Sequence, residues 1–293
     1  RKLIMTVWMS SWLEGPGLTE LLEKPNTAVF HSLDRCFETY AAWRRWLKRE
    51  ALTSGAAPVA PSGAKAAAAE ALAAAPGAVL AERAAKPVFA AYGVDAIGEA
   101  AVTSAAEAKS AAEAAGFPVV LKLDAPDLAH KTEVGGVVLG LSDGDAVAEA
   151  YEKMMEKAAA AGVTPRGALV QRMAAKGAEI VIGGRVDPVF GPLVVAGIGG
   201  TMVEVLKDTI VAPAPVTEAQ ALRMLERLRF GEMLDGVRDL PAVDRAALAR
   251  TIAAVSEFLD DFQDEVAEID LNPVICRGGE ITAVDALILR REA

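Results

Sequence analysis

The chain has 293 residues, 53% of them hydrophobic, and a formal net charge of −10, too long for one small core and acidic enough to argue against a nucleic-acid partner. No apolar run approaches the roughly 20 residues that span a bilayer, so a soluble protein without a membrane partner is expected. No signal-peptide pattern opens the chain and the two cysteines, Cys36 and Cys276, carry no metal-like spacing, which together point to a reducing cytoplasm.

Residue 1 is Arg rather than Met, so the sequence is expected to be a piece of something longer. All four tryptophans, Trp8, Trp12, Trp43 and Trp46, fall near the start and mark a separate first unit. There KLIMTVWM (2–9) and TAVFHS (27–32) predict strands, and LDRCFETYAAWRRWLKRE (33–50) has the spacing of a helix. Strand, strand, helix reads as the closing portion of an α/β sheet, with too few elements for a whole domain. Residues 51–77, rich in Ala, Pro, Gly and Ser, read as a tether with a short Ala helix from Ala64.

From Ala78 the pattern turns to α+β. Helices are expected in AERAAKPVFAAYGV, ending at Gly93, and over 104–116, closed by Gly116. FPVVLKLDAP (117–126) and VGGVVLGL (134–141) predict strands around a polar loop, followed by a helix from Ala146. GALVQRM (167–173) and AEIVIGGRV (178–186) look like a strand pair, and GPLVVAGIGG (191–200) adds another strand. Thr217 and Gln220 are placed as a capping box, AVDRAALARTIAAVSEFLDDF (242–262) is a long amphipathic helix, and EVAEIDLNPVIC with EITAVDALIL closes as a hairpin.

Several residues have chemistry to offer. Glu268, Asp270 and Asn272 alternate on one strand face, with Asp285 on the next strand. Carboxylates and an amide oxygen suit a hard cation such as Mg2+, although solvated acids on an exposed strand give the same pattern. Lys122, between Leu121 and Leu123, is either a phosphate-binding point charge in a cleft or an edge-strand lysine. Glu179 is placed to meet a ribose and the backbone of Val170, Gln171, Arg172 and Met173 to read an adenine edge, or the two segments form an ordinary hairpin. The glycine-rich run 183–200 is neither a P-loop nor a G-x-G-x-x-G turn. His130, one of two histidines, sits in DLAHKTEVGG before the glycine pair Gly135 and Gly136. A neutral imidazole can attack phosphorus; a loop histidine with no task is the alternative, and His31 is assigned to it.

Taken together, GFPVVLKLDAPDLAHKTEVGGVVLGL, ALVQRM with AEIVIGGRVDPVFGPLVVAGIGGTMVEVLKD, and EIDLNPVI with AVDALI resemble the ATP-grasp half of the ADP-forming (NDP-forming) acyl-CoA synthetases, relatives of succinyl-CoA synthetase. The resemblance covers about residues 78–293; residues 1–50 resemble the tail of that family's flavodoxin-like CoA-ligase domain. It implies an α/β and α+β chain: a C-terminal ATP-grasp fold over 78–293, a linker over 51–77 and the end of a flavodoxin-like α/β domain over 1–50. It further implies that Lys122 holds the α- and β-phosphates of ATP, that Val170, Gln171 and Met173 line the adenine pocket and that Glu179 lies near the ribose. Asn272 and Asp285 would bind Mg2+ with Asp270 beside them, and His130 would be the mobile phosphohistidine.

The implied reaction joins a carboxylic acid and CoA at the expense of ATP, giving acyl-CoA, ADP and phosphate. ATP/ADP and Mg2+ are its cofactors, and CoA is a co-substrate. Acid and CoA would be bound by upstream domains or a partner chain, because the family's CoA-binding domain and the rest of the flavodoxin-like domain have no counterpart here. A homo-oligomer is left open, as is the acid. Two other classes stay in play: an ATP-grasp carboxylate ligase with direct acyl-phosphate formation, and a non-catalytic nucleotide-binding module.

Overall fold

The computed structural model describes residues 3–12, 15–53, 58–75, 77–125, 135–200, 208–237 and 240–291. They fall into two units, 1–57 and 58–293.

In the first unit β1 (Ile4–Val7) and β2 (Thr27–Phe30) pair in parallel, joined through α1 (Leu18–Leu22) and followed by α2 (Leu33–Thr53). A parallel pair ordinarily lies inside a larger sheet with helices on both faces. Here Trp12 is 61% and Phe37 65% exposed, and Trp43 is exposed as well, so this unit leaves much of its aromatic surface unburied.

In the second unit the first helix is α3 (Ala64–Ala74), whose Ala64, Ala68 and Leu72 enter the main core. The carboxylate of Glu257 accepts from the backbone N–H groups of Val59 and Ala60, and Lys65 pairs with Asp261. The second half of the expected tether is therefore part of this unit: small residues at helical spacing leave room for close packing that composition alone conceals.

Two sheets organise the remainder. The larger contains β3 (Val79–Leu80), β4 (Asp95–Ala96), β9 (Ala178–Asp187), β10 (Gly191–Ile198), β11 (Thr209–Pro213), β12 (Val266–Arg277), β13 (Glu280–Ala283) and β14 (Leu287–Arg290). The smaller has the order β5 (Glu99–Val102), β8 (Gly167–Arg172), β6 (Val119–Asp124), β7 (Val137–Leu141), antiparallel throughout. GALVQRM and AEIVIGGRV are thus not a pair. β8 lies in the small sheet and β9 in the large one, the short connection between them passing from one sheet to the other. The 3.3 Å rise and alternation of both segments fit a hairpin equally well, and only their partners decide.

The helices follow from their ends. Ser104 caps α5 (Ala105–Ala115) by accepting from Glu107 N–H, and Asp143 caps α6 (Gly144–Ala160) by accepting from Ala146 N–H. Thr217 and Gln220 form the expected capping box of α7 (Glu218–Glu226). Asp244 caps α8 (Arg245–Asp261), and α4 (Glu82–Ala91) lies earlier in the chain. α5 and α6 cover one face of the small sheet. The larger core gathers α3, α4, α7 and α8 with the large sheet, centred on Phe258, which meets Phe89 and Tyr92 edge-on at 5.3 Å each.

Candidate functional site

Alternation along β6 puts Val119, Leu121 and Leu123 into the core beneath α5 and α6. Lys122 therefore points to the opposite face of the small sheet, where it is 6% exposed. Its ammonium donates to Glu82 Oε1 at 2.6 Å and to the Val284 carbonyl at 3.3 Å. Glu82, at the start of α4 and 1% exposed, also accepts from Lys86 Nζ at 2.8 Å. Lys86 in turn donates to Glu99 Oε2 at 2.7 Å and to the Ile97 carbonyl at 3.0 Å. The result is a buried row of alternating sign: Glu99, Lys86, Glu82, Lys122.

Charge placement decides the protonation of its two acids. Burial pushes Glu82 up, but Lys122 and Lys86 outweigh it and bring the carboxyl to about 2. Glu99 is raised to about 7 by burial and by the nearby Glu82 charge, with Lys86 opposing. The second oxygen of Glu82, the Oε1 of Glu99 and the Oε1 of Gln171 are buried without a hydrogen-bond partner among the described residues. Gln171 stands directly across from Glu99 in the β5–β8 ladder, so their side chains share this face.

β8 divides its residues in the same way. The Val170 side chain belongs to the core under α5 and α6, and β8 is paired on both sides, which leaves Val170 enclosed. Gln171 is turned to the Lys122 face and its Nε2 donates to the Val284 carbonyl at 3.3 Å. Met173 lies just past the strand end, 39% exposed, with its N–H donating to the Pro118 carbonyl.

Glu179 is on β9, in the other sheet, with an exposed side chain. Gly199 N–H donates to the Glu179 carbonyl at 2.6 Å, and a Cβ at Gly199 would lie 2.8 Å from the Glu179 carbonyl carbon. A Cβ at Gly200, whose φ is +84°, would lie 2.7 Å from Glu179 Oε2. Gly199 is thus required by the close approach of the Glu179 backbone, whereas Gly200 is required by its left-handed conformation.

Asn272 and Asp270 share a face of β12, while Asp285 lies in the connection between β13 and β14, not inside a strand as expected. The register is nonetheless continuous: Val274 pairs with Ala283 on one side and Asp270 with Leu287 on the other, which sets Asn272 opposite Asp285. Val284 N–H donates to the Pro273 carbonyl at 2.9 Å, holding that connection against β12. Burial, then the charges of Asp285 and Glu268, push Asp270 up to about 6, and a hydrogen bond from Asn272 opposes them. Two carboxylates and an amide oxygen are a hard-oxygen set that suits Mg2+, and the crowded negative charge at Asp270 is what a divalent cation relieves. Among the described residues no three His, Cys, Asp or Glu side chains gather as a metal group.

Val284 ties the halves together. Its carbonyl receives Lys122 and Gln171 from the small sheet, and the next residue is Asp285. His130 lies outside the described residues, and His31 is exposed. Sequence reasoning passed over Glu82, Lys86 and Glu99. The signal available was an acid and a lysine four apart at the start of a helix, ERAAKPVFAA, that is apolar apart from Glu82, Arg83 and Lys86.

Residues 70–289 match the family described as the ATP-grasp domain. The ADP-forming acetate–CoA ligase I of Archaeoglobus fulgidus is 38% identical over 194 residues, 64% of this chain and 27% of that one. The chain thus spans about a quarter of the length of that relative. Subunit beta of the ADP-forming acetate–CoA ligase II of Pyrococcus furiosus is 34% identical over 209 residues, 70% of this chain and 89% of the subunit. Among solved structures, the dinucleotide-forming acetyl-coenzyme A synthetase 1 of Ca. Korarchaeum cryptofilum, in complex with coenzyme A and Mg-AMPPCP and with its phosphohistidine segment pointing towards the nucleotide site, superposes with a TM-score of 0.65. It is 33% identical, and the match covers 78% of this chain and all of that one.

Proposed function

This chain belongs to the ATP-grasp domain family, in the branch of the ADP-forming acyl-CoA ligases, and from that premise we propose that it is the nucleotide-binding, phosphoryl-transferring part of an ADP-forming acyl-CoA synthetase. The full reaction converts a carboxylic acid, CoA and ATP to acyl-CoA, ADP and phosphate. One observation carries this: the Val284 carbonyl brings Lys122 and Gln171 of the small sheet to the segment bearing Asp285, opposite Asn272. Cation, amide and carboxylates of the kind a metal–polyphosphate needs therefore converge from two sheets.

Lys122 holds phosphate as a point charge, and its third N–H is available beyond those given to Glu82 and Val284. Gln171 and Met173 border the adenine, Val170 supporting them from the core, and Glu179 serves the ribose. Asn272 and Asp285 would hold Mg2+ with Asp270 beside them, and what the ion supplies is charge compensation on the phosphates. His130 accepts the phosphoryl group: the nitrogen–phosphorus bond forms as the bridging phosphorus–oxygen bond breaks, and ADP leaves with the electron pair.

The first unit is the C-terminal part of a flavodoxin-like CoA-ligase domain. Its two parallel strands and exposed Trp12, Phe37 and Trp43 are those of a sheet awaiting further strands. Acid and CoA then bind to segments upstream or on a partner chain. No described helix is long and apolar enough to cross a membrane, and the cytoplasm is the place where this chemistry has its ATP and CoA.

Intact-mass measurement after incubation with Mg·ATP tests the relay. An acid-labile gain of one phosphoryl group, reversed by ADP and absent in His130→Ala, is expected. Nucleotide binding with no such gain in the presence of the CoA-binding partner segment would move direct acyl-phosphate formation to the front.

A further inference from the structure

The row Glu99–Lys86–Glu82–Lys122 has a direction. Lys122 is the member at the candidate phosphate site, and its only anionic partner among the described residues is Glu82, at 2.6 Å. Glu82 in turn is fixed from behind by Lys86, which is itself held by Glu99 and the Ile97 carbonyl. Every member is nearly sealed from water, the side chains being between 1% and 9% exposed. Burying an ammonium without a counter-ion is costly, because desolvation penalises the charge. A carboxylate at hydrogen-bond distance removes that penalty and fixes the direction of the remaining N–H.

We propose that Glu82 is the positioning residue of the nucleotide site: it holds Lys122 Nζ in place and aims its remaining N–H at the phosphate position, with Lys86 and Glu99 holding Glu82 in turn. This rests on the reading that Lys122 meets nucleotide phosphate. Glu82 makes no contact with nucleotide itself. The other groups facing the row are the Gln171 amide from β8, the Val284 carbonyl from the β13–β14 connection, and the pair of Arg83 and Asp124, 3.8 Å apart. Arg83 is engaged with Asp124, and neither Gln171 nor Val284 carries a charge, so none replaces the Glu82 carboxylate. The shift of Glu82 to about 2 accords with a carboxylate serving two ammoniums.

The experiment is calorimetric titration of the whole chain with Mg·ADP and with AMP, needing no turnover and no partner domain, for wild type, Glu82→Gln, Glu82→Asp and Lys122→Met. Glu82→Gln keeps an acceptor near Lys122 but removes the charge. It is expected to bind Mg·ADP at least about ten-fold more weakly than wild type and AMP within about three-fold of it, because the phosphate contact of Lys122 is what loses its aim. Glu82→Asp, which restores the charge, is expected to recover most of the ADP binding. Unchanged Mg·ADP affinity in Glu82→Gln would overturn the proposal. So would a folded Glu82→Gln that loses ADP and AMP alike, since its effect would then not run through Lys122. If Glu82→Gln does not fold, Glu82→Asp decides: its preference for ADP over AMP must lie between those of wild type and Lys122→Met, and a preference lost as completely as in Lys122→Met overturns the proposal. If Lys122→Met binds nucleotide like wild type, it is the nucleotide site that is misplaced, a different failure.

Discussion

Asn272 falls opposite Asp285 when the common register of two separate ladders, one ending at the Val274–Ala283 pair and the other at the Asp270–Leu287 pair, is continued through the connection between them. Both are oxygen donors, and beside them burial, then the charges of Asp285 and Glu268, raise Asp270 to about 6. Asp285→Asn is expected to raise the Mg2+ concentration needed for nucleotide binding by about ten-fold or more, since it removes a charged ligand from a hard cation. Asn272→Ala should do the same more mildly while also freeing Asp270 of a hydrogen bond. Titration of Mn2+ by paramagnetic resonance, with and without ADP, reads the metal directly. Unchanged Mn2+ affinity in both variants would place the ion elsewhere.

Glu99 makes the fold sensitive to pH near neutrality. Its carboxyl is raised from about 4.5 to about 7 on folding, so the neutral form is the one the native state favours. The stability this contributes is complete below the unfolded value and is lost as pH rises through about 7. Between pH 5 and 8 the wild type is expected to lose on the order of 1 kcal/mol relative to Glu99→Gln, which holds the neutral shape at every pH. Urea melts of both proteins across that range check it; parallel curves would mean that Glu99 is ionised throughout. Glu82 acts oppositely, stabilising above its unfolded value and losing that contribution only as pH falls toward 2, outside this window.

Much of this was legible in the chain. Ser104, Asp143 and Thr217 announce their helices because a capping side chain is a local device, read from residues three apart. The alternation that set Lys122 opposite Leu121 and Leu123 is equally local. What was not legible depended on which strand meets which. β8 and β9 share every property of a hairpin yet pair in different sheets, and Asp285 fell just outside the strands expected to hold it. The partnership of Glu82 with Lys122 joins residues 40 apart and has no periodic signature at all. The Ala-rich segment at 64–74 was disguised by composition, its Ala68 and Leu72 reaching the core only because helix and sheet approach closely there.

The glycine pair at 199–200 offers a test of the large sheet's edge toward the site. A methyl group at Gly199 would meet backbone atoms of Glu179 and Ile180 at 2.8–2.9 Å, with nothing flexible to give way. Gly199→Ala is expected to cost on the order of 2–3 kcal/mol of stability, a cost typical of overpacking a well-filled site. It should also displace Glu179 and weaken discrimination between ADP and its 2′,3′-dideoxy analogue. Gly191→Ala, which has open space around it but a φ of +71° that Gly199 does not share, isolates backbone strain from crowding: it should cost about 1 kcal/mol and leave nucleotide choice alone. A loss in Gly199→Ala no larger than that in Gly191→Ala would mean that the Glu179 backbone gives way to the added methyl group.

Lys122 carries the sharpest consequence for binding. In Lys122→Met the Glu82 carboxylate keeps Lys86 at hydrogen-bond distance, so the buried anion is not stranded and the fold should survive with a loss on the order of 2 kcal/mol. The phosphate loses its point charge, and Mg·ADP affinity is expected to fall about ten-fold or more, with AMP affected much less. Lys122→Arg is not expected to restore it. A planar guanidinium in place of a compact ammonium must fit between Glu82 and the Val284 carbonyl, where the present geometry holds one nitrogen at 2.6 Å and 3.3 Å from its two acceptors. Calorimetry with ADP and AMP, set beside thermal melts of the same preparations, separates the lost contact from lost structure. If Arg restores ADP binding fully, charge alone matters at this position and the aim imposed by Glu82 does not.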